Sequence, residues 1–279
     1  MQPAPQMPPA PPSFAAIAAP TFSVGGVIGK TFSTWAKNLV PFTVLSIIVQ
    51  LPIYAVTLWT QYETYGGYPS FQQMTEHAQQ RAAAGPFGQF APLIIGGWLV
   101  VAVLMLVEMG ALTYGAIQHL AGRKVSVGPL IGAGLRRAGT VFLAGLLAGL
   151  LMAVGWILLI VPGIILACAL AVTVPVVMAE DKGATEAIGR SFTLTKGRRF
   201  AILLSYLVMG LVVLTVNMVS GLLPLALGGG TASLVGGFVA FVVGAMFAPL
   251  PTLLPAVVYH DLRVAKEGVA TADLVKVFE

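Results

Sequence analysis

One carboxylate lies deep inside an apolar run: Glu108, in VVAVLMLVEMGALTYG. An ionisable side chain in a bilayer is costly, so it is held by polar neighbours or lines a watery path, and proton-linked transport is the chemistry such a group performs. No Lys or Arg falls inside any apolar run of this chain, so its partners must be uncharged. Gln50 and Asn217 lie at plausible depth, with Thr113 and Thr215 behind them. Both amides can equally act as hydrogen-bonding glue between helices. Glu108, Asn217 and Gln50 therefore form a candidate intramembrane polar site for which transport and packing both stand open.

Other chemistry is scarce. His77, His119 and His260 are single and scattered, without HExxH or HxxxH spacing, so neither a metal nor another cofactor is expected. There is no GxSxG, no Walker loop and no pair of carboxylates at catalytic spacing. Glu180, Asp181 and Glu186 sit among basic residues and read as local charge balance, with Glu186 four residues before Arg190 and able to support it. The single cysteine, Cys168, lies in an apolar run and reads as a packing residue. No enzyme activity is expected.

The elements that must position these residues follow from where charge is missing. Of 279 residues, 57% are hydrophobic and 9% charged, with mean hydropathy +0.91. Soluble domains carry about 25% charged residues, so the chain reads as an integral membrane protein. Thr140 to Ala179 and Phe200 to Tyr259 contain no Asp, Glu, Lys or Arg. A crossing helix needs about 20 apolar residues. Each stretch thus holds two spans, split by helix breakers at Val161-Pro162-Gly163 and Gly228-Gly229-Gly230. Leu39 to about Thr60 and Pro92 to about Gln118 add two more, giving an all-α, polytopic transmembrane bundle of six spans. Gly145, Gly149 and Ala153, and Gly236, Ala240, Gly244 and Ala248, form small-residue ladders that predict close backbone approach.

With six spans, 14 of the 15 Lys and Arg residues fall on one side and only Arg81 on the other. The positive-inside rule then places both termini in the cytoplasm and the chain in the inner membrane. The net charge of +5 is a topology signal, and no nucleic-acid partner is expected.

Three segments resemble one another: SVGGVIGKTFSTW (Ser23 to Trp35), SVGPLIGAGLRRA (Ser126 to Ala138) and GATEAIGRSFTLT (Gly183 to Thr195). With Ile28, Ile131 and Ile188 in register, Gly29, Gly132 and Gly189 align, as do Val27, Leu130 and Ala187. The apolar positions recur at helical spacing, and each segment carries basic residues beside a span, the pattern of an amphipathic helix at the membrane interface. The expected unit is such a helix plus a two-span hairpin, used three times: about 22–120 with a long outer insert over 61–90, 125–180 and 183–262. The membrane domain is 22–268. A Pro/Ala-rich cytoplasmic tail, expected to be disordered and without a cleavable signal, occupies 1–21, and a short cytoplasmic tail occupies 269–279.

The stretch VPGIILACALAVTVPVVMAEDKGATEAIGRSFTLTKGRR resembles a widespread set of bacterial membrane proteins, similar to the membrane domain attached to some glycerophosphoryl diester phosphodiesterases. The residues that carry the likeness are Pro162-Gly163, Pro175, Glu180, Ala187, Ser191, Leu194 and Gly197, and HLAGRKVSVG looks like an equivalent loop. The resemblance, spread over most of 22–268, implies a six-span membrane module. The phosphodiesterase itself is a separate soluble barrel, nothing here resembles it, and its activity is not carried over.

The leading functional expectation is a non-enzymatic module that engages anionic lipid headgroups or a partner protein, a second copy of itself included. Lys30, Lys37, Arg136, Arg137, Arg190, Arg198 and Arg199 are the candidate lipid contacts. The alternatives are a small transporter or channel using Glu108, and an intramembrane enzyme acting on lipid.

Overall fold

The computed structural model describes residues 22–66, 72–73, 75–76, 79–80, 92–226 and 230–268, with side chains described throughout except at 92–99, 225 and 230–233. Both tails, His77, Arg81, most of the 61–90 insert and the glycine turn at 228–229 lie outside them. Among the described residues all regular structure is helical. The order is α1 (Val24–Lys37), α2 (Leu39–Tyr65), α3 (Pro92–Leu120), α4 (Val127–Leu158), α5 (Ile160–Leu170), α6 (Thr173–Glu180), α7 (Ala184–Thr195), α8 (Arg199–Ala226), α9 (Gly230–Phe247) and α10 (Pro249–Glu267). Six stretches are long and apolar enough to cross a membrane: α2, Val100–Leu120 of α3, α4, α5 with α6, Arg199–Pro224 of α8, and Leu234–Glu267 across α9 and α10.

Two of the three similar segments are short, separate helices. Ser23 caps α1 by accepting from the Gly26 N–H (3.1 Å), and Asn38 ends it by donating its amide to the Thr34 carbonyl (2.9 Å). α7 ends before Gly197, whose φ of 82° suits a residue without a side chain. The second segment differs from expectation: it runs without a break into its span, as the first third of the 32-residue α4. No Asn38-like cap or positive-φ glycine interrupts it, so the unit of short helix plus hairpin is not uniform.

The hairpin turn also departs from expectation. The chain reverses at Leu159, which is extended (φ −175°, ψ 158°), and Pro162-Gly163 lie in the first turn of α5. A first-turn proline loses no hydrogen bond, because that N–H has no intrahelical partner anyway. Gly163 is needed for contact: a Cβ there would stand 2.8 Å from the Trp156 ring, and one on Gly155 would stand 3.1 Å from Gly163 Cα.

Close approach follows the ladders only in part: Gly236 is buried. Gly145, Gly149 and Gly244 face open space. The tight crossing is α3 against α4, where a Cβ on Gly134 would sit 2.5 Å from the Val107 carbonyl oxygen.

The core lies at the end of the bundle that carries the basic residues. α10 is buried almost all round, with Leu253, Leu254, Val257, Val258 and Tyr259 fully covered, and α6 buries Val176 and Val177 beside it. The apolar stripes of α1 and α7 face this core through Val27, Ala187 and Leu194. Sealing the core outweighs laying those stripes among acyl chains. The opposite half of the bundle presents Leu211, Phe238 and the hairpin residues Ile157 to Val161 outward.

Two spans are broken, and side chains satisfy the freed carbonyls. Between α5 and α6, Ala169 O accepts from Ser191 Oγ (2.7 Å) and Thr195 Oγ1 (3.3 Å), and Leu170 O from Thr173 Oγ1 (2.8 Å). Ala171 O, whose helical donor would be the N–H that Pro175 lacks, accepts from the Tyr206 hydroxyl (3.3 Å). Between α9 and α10, Met246 O accepts from Trp35 Nε1 (2.8 Å). An unpaired carbonyl in an apolar interior costs several kcal/mol, so these hydroxyls and the indole hold the breaks in place.

Candidate functional site

The structure brings together part of the polar trio. Glu108, 6% exposed on α3, accepts from Gln50 Nε2 of α2 at 3.4 Å, a long bond. Gln50 in turn lines a cavity of about 210 Å³ whose other wall includes Asn217 of α8 and Gly244 of α9. Asn217 donates its amide to the Val213 carbonyl one turn back (2.8 Å), so it shares the cavity with Gln50 without bonding it. Glu108 reaches the cavity only through Gln50.

A second cavity, about 570 Å³, lies between α3, α4, α5, α8 and α10. Its walls include Met109, Ala144, Gly145, Ala148, Trp156 and Leu203, so it is built for apolar matter.

At the basic end, the cations sort into two groups. Lys30 of α1 pairs with Asp261 of α10 (2.7 Å), which also holds the buried His260 ring at 3.1 Å. Arg137 of α4 pairs with Asp181 and donates to the Val177 carbonyl (2.9 Å). Arg190 of α7 bonds both Glu180 oxygens (3.1 and 3.0 Å) and Glu267 (2.5 Å), which Arg263 also holds (2.8 Å). Arg190 thus pairs across elements, not with Glu186 on its own helix. Burial disfavours its charge, yet Glu180 and Glu267 hold the guanidinium firmly protonated, above its ordinary value. Tyr259 completes the cluster by donating to Glu180 (3.0 Å).

The other group makes no such pairs: Lys37, Arg136 and Arg198 are exposed, whereas Arg199 is half-buried with its Nε covered. Among the described residues Lys37, Arg136, Arg198 and Arg199 have no ion-pair partner, Arg136 making a long bond (3.4 Å) to Gly132 O and Arg199 lying over the Phe192 ring. The clamp of Glu180, Arg190, Glu267 and Arg263 was not legible as a unit. Its signal was a carboxylate at each of two span ends, at Glu180 and Glu267. No group of His, Cys, Asp and Glu able to hold a metal ion occurs among the described residues.

Every residue that carries the family likeness has a place in this geometry: Pro175 and Ser191 at the broken span, Glu180 in the clamp, Ala187 and Leu194 in the core, Gly163 at the hairpin and Gly197 at a positive φ. No curated protein and no solved structure matches the chain. A multi-pass membrane protein follows from the six spans and from the comparison with known families, in which residues 142–259 match the membrane domain of glycerophosphoryl diester phosphodiesterase.

Proposed function

We propose that this protein is a non-enzymatic module of the inner membrane, with both termini in the cytoplasm, that gathers anionic lipids of the inner leaflet around its basic end. The observation that carries the reading is the sorting of cations. Lys30, Arg137 and Arg190 are consumed by internal ion pairs, whereas Lys37, Arg136, Arg198 and Arg199 are left to meet headgroups. Each basic residue near an anionic surface contributes about 1 kcal/mol. The apolar 570 Å³ cavity suits an acyl chain, being within the usual range of ligand pockets, about 300–1,000 Å³.

The test is the lipid shell. Protein extracted with copolymer from membranes of equal phosphatidylglycerol and phosphatidylcholine should carry an anionic-enriched shell by mass spectrometry. Replacing Lys37, Arg136, Arg198 and Arg199 with Gln should return the shell to the bulk ratio. A wild-type shell already at the bulk ratio removes the reading.

The chain also reads as a threefold duplication closed into a ring. α1 of the first unit packs on α10 of the third, the start of α4 in the second on α3 of the first, and α7 of the third on α5 and α6 of the second. Thr31, Gly134 and Ser191, at one register position, are all buried there.

One observation favours a second reading, a small transporter: Gln50 links Glu108 to a cavity shared with Asn217. Glu108→Gln in liposomes would then abolish proton-linked flux, and unaltered flux removes Glu108 from any such path.

A further inference from the structure

The loop from α3 to α4 encloses a small polar pocket of about 200 Å³, lined by Tyr114, Gln118, Arg123, Lys124, Ser126 and Pro129 among others. Among the described residues no carboxylate lines it. Three independent features converge there. The first is charge, from adjacent cations on a short loop. The second is the N-terminus of a 32-residue helix, which presents backbone N–H groups and a partial positive charge. The third is Gln118, only 5% exposed, whose Nε2 has no hydrogen-bond partner among the described residues. A buried donor left unpaired costs about 1–3 kcal/mol, so its retention calls for an acceptor.

The local backbone keeps the donors available. Ser126 is the N-cap of α4 but makes no side-chain cap bond, whereas Ser23, its counterpart in register, caps α1. Its hydroxyl is therefore unspent. Pro129, at the third helical position, has no N–H for Ser126 to cap, which leaves the Val127 and Gly128 N–H groups as the first-turn donors, and Gly128 faces open space, so a group can approach them closely. Helix N-termini with such donors bind phosphate.

We infer that this pocket binds a phosphate group, through Gln118, Lys124, Ser126 and the first turn of α4. Its volume of about 200 Å³ is ample for a phosphate group. Because α3 ends a span at Leu120, the pocket stands at membrane-surface level, where the phosphate of a lipid headgroup is the nearest source. The inference rests on the lipid-binding reading and narrows it to one built contact; free phosphate shares the same chemistry.

The experiment uses the full chain in dodecyl maltoside, a detergent without phosphate, titrated by calorimetry with dioctanoyl phosphatidylglycerol in one arm and inorganic phosphate in the other. Saturable binding is expected in the lipid arm, and in the phosphate arm as well if the pocket takes the free ion. Lys124→Gln with Ser126→Ala, both exposed positions that leave packing intact, should weaken it about tenfold, the loss of one charge-assisted hydrogen bond. Lys196→Gln, an exposed cation outside both the pocket and the headgroup set, should leave it unchanged. Absence of saturable binding in both arms overturns the pocket, as does equal binding by the Lys124/Ser126 variant. Neither result touches the shell enrichment, which tests the broader reading separately.

Discussion

Lys30 and Arg190 occupy the same register position in α1 and α7, and each is tied to a carboxylate at the basic end of a broken span. Lys30 holds Asp261 of α10, and Arg190 holds Glu180 of α6. Five residues on, Trp35 and Thr195 again correspond, and each donates to a carbonyl freed by the same break. In the second segment the position of Lys30 is taken by Ala133, and Gly134 substitutes backbone contact for ionic contact.

The two ion pairs should differ in weight. Arg190 bridges two carboxylates, and the Glu180 side chain is 10% exposed; Lys30 is 47% exposed. Removing one partner of a buried pair leaves an uncompensated charge, so Arg190→Gln should cost about 2 kcal/mol, and Lys30→Gln about 1 or less. Unfolding in detergent measures both. Because the folded-state pKa of Arg190 is raised, its contribution is present below the unfolded value and is lost only as pH rises through the folded one. The gap between wild type and Arg190→Gln should therefore stay constant from neutral to mildly alkaline pH.

Ser191 and Thr195 share one acceptor, Ala169 O. Ser191→Ala alone should cost about 1 kcal/mol, because Thr195 remains. Adding Thr195→Val orphans the carbonyl, and the pair should cost more than the sum of the single changes. A double-mutant cycle on thermal unfolding reads the coupling, and strict additivity would contradict the shared-acceptor geometry.

Gly134→Ala should be among the most damaging small changes, at about 1–3 kcal/mol, since the new Cβ meets the Val107 backbone oxygen at 2.5 Å. Gly145→Ala faces open space and should be neutral or slightly stabilising through helix propensity. Monodispersity after extraction compares the two, and equal behaviour would argue against the α3–α4 crossing.

In a Cys168→Ser background, Arg123→Cys and Lys196→Cys should resist a membrane-impermeant thiol reagent in intact cells and react after permeabilisation. Labelling of either from outside would reverse the proposed orientation.

The six spans were legible because the absence of charge over Thr140 to Ala179 and Phe200 to Tyr259 is a one-dimensional signal that needs no partner. Pro175 and Pro249 mark the breaks within spans four and six, but the indole and, apart from that of Thr173, the hydroxyls that make them tolerable come from 20 or more residues away in sequence. Register similarity put Val27, Leu130 and Ala187 on one apolar stripe expected to meet acyl chains, whereas all three are buried in the protein core, because an apolar stripe does not say which apolar medium will cover it. Gln50 was a foreseeable neighbour of Glu108, because uncharged partners were few. The phosphate pocket was not foreseeable: Gln118, Lys124 and Ser126 are ordinary singly, and only the turn at Gly122 folds them round one volume.

The reversal at Leu159 has a consequence for biogenesis. No charged, amide or hydroxyl side chain lies between Thr140 and Thr173, so α4 and α5 can be threaded into lipid as a folded pair that drags nothing hydrophilic across except one turn of backbone. Insertion of this hairpin requires no translocated loop, and under the proposed orientation its direction of entry is set from the end that stays behind, by the cations that flank it, Arg136 and Arg137 before and Lys182 after.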